Sequence, residues 1–217
     1  MFKKLFSWWH EDVLLKEALE DSAVALEKAG RMFSFSMNLL LEGVGEEQIV
    51  YDMDREINEL QIGIRTKVLQ HLTINPEQDV TASLVLITII VDIERLGDFA
   101  KNIVELHQMS TGKPVGGRYA QEVRNIRQKL ETSIPLTKAA FVDADPEQAK
   151  TLMADYVWIG HKCDNVLELL VGDDTLAVRE AVVYGLLFRY LKRIAAHLRN
   201  ISSSVVNPFH RVGYRPG

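Results

Sequence analysis

Leu84-Val85-Leu86-Ile87-Thr88-Ile89-Ile90-Val91-Asp92-Ile93-Glu94-Arg95-Leu96-Gly97-Asp98-Phe99-Ala100-Lys101-Asn102-Ile103 occupies the middle of the chain. Its first eight residues are rich in β-branched side chains and could form a buried strand by local preference. The surroundings decide otherwise. No Gly or Pro lies between Glu77 and Leu96, and strands rarely run that long. Leu84, Ile87 and Val91 recur at helical spacing, and steps of three or four residues carry that stripe on to Glu94, Asp98 and Asn102. A single long helix with an apolar face leading into carboxylates is the expectation.

The same period appears on either side. Ile49, Met53, Ile57, Leu60, Ile64 and Val68 form a stripe in the preceding segment. Gly43-Val44-Gly45 interrupts the first third of the chain. Asn75-Pro76-Glu77-Gln78 and Asp145-Pro146-Glu147-Gln148 each read as an N-cap, a proline at the first helical position and a capping-box residue. Gly172-Asp173-Asp174-Thr175 ends one helix and offers a cap for the next. Between these marks lie segments 11–42, 46–72, 76–110, 118–143, 146–171 and 174–206, the fourth with Pro135 inside it as a kink or a late start. Short connections make successive helices antiparallel. The expected fold is all-α: six long antiparallel helices forming two tandem three-helix bundles, 1–112 and 113–217, joined through Thr111–Gly117.

Composition fits that picture. The 217 residues are 47% hydrophobic and 25% charged, enough apolar material for real cores. One cysteine, Cys163, excludes an intramolecular disulfide framework and a cysteine-cluster metal site. Leu84–Ile93, interrupted by Thr88 and Asp92, is too short to span a bilayer, and the opening residues lack the apolar run of a signal peptide. A cytoplasmic protein is expected. The net charge of −5 is unevenly spread: −9 over residues 1–112 and +4 over 113–217, with no acid after Glu180. A chain that is acidic overall is not a generic nucleic-acid binder.

Glu94 and Asp98, four residues apart, share one helix face. Two such charges ~6 Å apart repel by ~3 kcal/mol at an effective dielectric near 20, so something must neutralise them. One reading is an exposed acidic turn with local pairs Asp92–Arg95 and Asp98–Lys101. The other is an oxygen-rich metal site with Asp54 of the second helix as a third ligand.

Asp92-Ile93-Glu94-Arg95-Leu96-Gly97-Asp98-Phe99-Ala100-Lys101-Asn102-Ile103 resembles the signature of the PhoU family of bacterial phosphate-signalling regulators, as do Asp54, Ile57 and Asn58 in the preceding helix and Asp79 near the start of the third. The resemblance implies a regulator of phosphate uptake that contacts a phosphate ABC transporter and a phosphate-sensing histidine kinase as a homodimer. It also implies a multinuclear iron or zinc cluster, with Glu94, Asp98 and Asp54 carried over as ligands. The alternatives are a helical protein whose main task is handling iron or zinc, and a regulator of a different transporter.

The second half reads as a repeat that has lost its acids. Setting 91–104 against 189–202 pairs Arg95 with Arg193, Asn102 with Asn200 and Ile103 with Ile201, while Glu94 becomes Lys192 and Asp98 becomes Ala196. An ammonium and a methyl cannot replace two carboxylate ligands, so any metal is expected in the first bundle only. Lys192 is expected to pair with Asp155, the counterpart of Asp54, or its neighbours. Phe2, Phe6, Trp8 and Trp9 beside Lys3 and Lys4 suit an interfacial contact. The six scattered histidines and Cys163 read as structural, no catalytic constellation emerges, and the chain is not expected to be an enzyme.

Overall fold

The computed structural model describes residues 13–110 and 115–214. The aromatic and basic opening segment and most of the inter-half loop therefore lie outside the described residues. Six α-helices follow in order: α1 Val13–Glu42, α2 Glu47–Ile74, α3 Val80–Met109, α4 Ala120–Val142, α5 Pro146–Val171 and α6 Val178–Val206, then a 3-10 turn at Phe209–Arg211. No strand occurs among the described residues. The fold is the expected all-α pair of bundles, with α1, α2 and α3 packed together and α4, α5 and α6 packed together.

Local chemistry sets most of the boundaries. Gly43, at φ 67°, terminates α1 by donating its N–H to the Leu39 carbonyl at 3.0 Å, a left-handed ending that suits glycine. Asp145 caps α5 as its sequence predicts: its carboxylate accepts from the N–H groups of Glu147 and Gln148, and Pro146 fills the first position. The twin motif at Asn75 behaves differently. α2 runs on to Ile74, Asn75 is its C-terminal residue, and α3 starts only at Val80 after Asp79 takes a left-handed conformation. Asn75 thus closes one helix instead of opening another. α6 likewise begins at Val178, because Asp173 is held by Thr175, Tyr119 and Arg118. α4 passes through Pro135 unbroken, and the proline sits on its exposed side.

The stripe in α2 is correctly oriented: Met53, Ile57, Ile64 and Val68 are buried, with Ile49 and Leu60 packed against them. The stripe in α3 is not. Its period is helical, but Leu84 and Val91 are exposed, and the core is met by the opposite side, Val85, Leu86, Ile89, Ile90, Ile93, Leu96 and Ala100. Glu94 and Asp98 therefore lie on the outward face of α3.

The two bundles are joined along α3–α6 and α1–α4, so buried apolar residues run through both without a break. The repeat inferred from 91–104 and 189–202 is visible in burial. From Leu84 to Val104 and from Val182 to Ser202, buried, half-buried and exposed positions coincide at every step except Asp92 and Tyr190. These two positions serve the seam reciprocally. Asp92 meets His197, while Tyr190 packs on Phe99, the counterpart of His197, with ring centroids 5.8 Å apart. α3 and α6 thus contact each other in a pseudo-two-fold manner, as a symmetric pair of subunits would. Asp92 is buried there, and its Oδ1 accepts from His197 Nδ1 at 2.7 Å and Asn200 Nδ2 at 3.0 Å.

Candidate functional site on the first bundle

Asp54 projects from α2, and Glu94, Asp98 and Lys101 project from α3. Gly97 faces Asp54 across the α2–α3 contact, where a Cβ built on it would lie 3.6 Å from Asp54 Oδ1, an ordinary van der Waals distance. Lys101 occupies the centre. Its ammonium is 3.0 Å from Asp54 Oδ1 and 3.0 Å from Asp98 Oδ1. The second oxygen of Asp98 accepts from Arg95 at 2.8 Å, and Arg95 Nε stands 3.7 Å from Glu94. Asn58 donates to the second oxygen of Asp54 at 3.3 Å.

Protonation follows from this geometry. Burial, then the negative charge of Asp98 and a hydrogen bond between the two carboxyls, pushes Glu94 above the usual carboxylate range, against the opposing pull of Arg95 and Lys101. Burial works against the charge on Lys101, but its hydrogen bonds to Asp54 and Asp98 prevail and hold it above the ordinary lysine value. Three acids and two bases give the cluster a formal charge of −1, so the two cations offset most of the repulsion among the carboxylates.

The three residues expected from the sequence are thus brought to one place, Asp54 and Asp98 through a shared ammonium and Glu94 through Asp98. Among the described residues no group of three or more His, Cys, Asp or Glu side chains is arranged to hold a metal ion. The oxygens of Asp54 and Asp98 already have partners, so the donor set as placed does not fit a multinuclear iron or zinc cluster.

Of the two local pairs, Asp98–Lys101 forms; Arg95 turns to Asp98 and Glu94, because Asp92 faces α6 instead. In the second bundle Lys192 pairs with Asp164 of α5, at 2.5 and 2.7 Å to its two oxygens. Asp155 is taken by Lys129 of α4 at 2.7 Å. The expected Asp155 partnership is therefore corrected. Sequence reasoning missed the bridging role of Lys101, although its spacing three residues after Asp98 placed it within reach. It also missed the seam in which Asp92 meets His197 and Asn200, both more than a hundred residues further along the chain.

Fold and site together define a class: a two-bundle helical scaffold bearing an acid-x-x-x-acid motif on the outer face of its third helix. Residues 24–106, which contain Asp54, Glu94 and Asp98, match the PhoU domain, confirming the resemblance carried by 92–103. The structure resembles the crystal structure of PhoU from Pseudomonas aeruginosa with a TM-score of 0.80 at 20% identity, over 89% of this chain and 95% of that one. It also resembles the phosphate transport system regulatory protein PhoU from Streptococcus pneumoniae with a TM-score of 0.72 at 16% identity, over 95% of each chain. At such identities these two likenesses speak for the fold. No curated protein sequence gives a match. No described helix is long and apolar enough to cross a membrane.

Proposed function

We propose that this chain regulates phosphate transport through protein contacts, as a cytoplasmic homodimer that engages a phosphate ABC transporter and a phosphate-sensing histidine kinase. The observation that carries this reading is the PhoU domain match over residues 24–106. The outward face of α3 suits such a role. It presents Leu84 and Val91, each a little over one third exposed, on the same side as the acidic pair Glu94 and Asp98, a combination that fits a partner with an apolar strip and a basic rim.

The test is affinity purification of the tagged full chain from cells that express it, after cross-linking, in phosphate-replete and phosphate-starved cultures. Recovery of transporter and kinase subunits that changes with phosphate supports the reading. Absence of both in either condition refutes it. A second reading, control of a different carrier, draws support from the second bundle. That half lies beyond the family match, is basic overall, and carries Lys192 where the repeat has Glu94. The same purification would then recover a carrier of another type.

A further inference from the structure

We infer that Lys101 is the resident cation of the Asp54–Glu94–Asp98 cluster: the chain supplies its own ammonium where a divalent metal would otherwise balance the acids, and the first bundle needs no metal. This holds whether or not the regulatory reading is right, because it concerns only the chemistry of the cluster.

The geometry supports this in three ways. The ammonium contacts one carboxylate from each of two helices at 3.0 Å, so it ties α2 to α3 as a bridging ion would. The remaining Asp98 oxygen is held by Arg95, and Asp54 is further engaged by Asn58. A divalent ion entering among these oxygens would meet an ammonium at contact distance, and like charges so close repel strongly in a partly dry site. The ammonium is also tethered to α3, so it is present at an effective concentration that a free ion at cellular levels does not reach.

The second bundle provides an independent instance. There too a lysine of the third helix holds an aspartate of the second helix: Lys192 of α6 donates to both oxygens of Asp164 of α5. In the repeat defined by coincident burial, Lys192 stands at the position of Glu94. Where the repeat keeps its acid pair, a lysine bridges two aspartates, and where the pair is lost, a lysine holds the one aspartate that faces it.

The test uses the full chain purified without chelator. Iron, zinc and manganese content is measured by elemental analysis, and the melting temperature is followed with EDTA or with added Mn²⁺ or Zn²⁺. The wild type should hold only traces of metal, and neither EDTA nor added ion should move its melting temperature. Lys101→Met should melt lower. It should then be stabilised by added ion, with an affinity at least about tenfold above the wild type, read from the concentration dependence of melting. Lys101→Gln, which removes the charge but keeps a polar side chain, is the second variant and should respond to added ion as Lys101→Met does. The wild-type arm alone decides the matter if neither variant folds. Stoichiometric iron, zinc or manganese in the wild type, lost in the Glu94→Ala/Asp98→Ala double variant, would overturn the inference. So would a Lys101→Met protein as stable as the wild type and equally indifferent to metal.

Discussion

Replacing Asp92 by alanine tests how the two halves are held together. Asp92 is buried at the α3–α6 seam, and one of its oxygens accepts from both His197 and Asn200. Truncation leaves two inward donors without an acceptor, and each such loss costs about 1–3 kcal/mol. Removal of the bulk adds little, because only two side-chain oxygens and one carbon leave. The sum is about 3 kcal/mol, and for a chain of this size each kcal/mol lowers the melting temperature by about 2–4 °C. A fall of about 6–12 °C is expected by calorimetry. Asp92→Asn keeps an acceptor and should cost less. A double-mutant cycle with His197→Ala should give a coupling of about 1–2 kcal/mol. A loss below about 0.5 kcal/mol, within the range of ordinary surface substitutions, with no coupling to His197, would refute the reasoning.

Other outcomes follow from the same packing. Gly30→Ala would place a methyl 2.8 Å from Ile134 across the α1–α4 contact; overpacking at about 1–3 kcal/mol exceeds the helix-propensity gain of up to about 1 kcal/mol, so urea denaturation should show a net loss. Gly63→Ala meets no atom within 4 Å and should instead stabilise by about 0.5–1 kcal/mol. Burial raises the Tyr184 hydroxyl to about 12, and burial likewise raises that of Tyr156. A folded-state value above the unfolded one means stability is fully present below pH 10 and is lost as pH rises toward 12; Tyr184→Phe should flatten that alkaline decline in melting temperature. Cys163 is fully buried, and its thiol is pushed up to about 12 by burial and then by Asp164; it should react with a thiol reagent only at the rate at which the protein opens.

The helical period, the number of helices and the Asp145 cap were legible because they depend on neighbours within four residues. The Asn75 motif was misleading for the same reason. Its residues match those at Asp145, but α2 extends to Ile74 and spends Asn75 as its end, a choice made by packing. The phase of α3 was ambiguous because Leu84–Ile93 is apolar on nearly every side, so the period was clear and the inward face was not. Asp54, Glu94 and Asp98 were found by motif, whereas the cation among them depends on which rotamer Lys101 adopts between two helices. Asp92 looked like a surface acid, since its partners His197 and Asn200 become neighbours only when the second half folds against the first. Lys192 found Asp164 instead of Asp155 because Lys129 of α4 reaches Asp155 first.

The regulatory account meets its most direct test in phosphate uptake by cells that lack this chain, measured with abundant phosphate in the medium. Uptake, or the expression of starvation-responsive genes, should rise above that of the parent and return to it when the intact chain is restored. Uptake and expression indistinguishable from the parent would contradict the account.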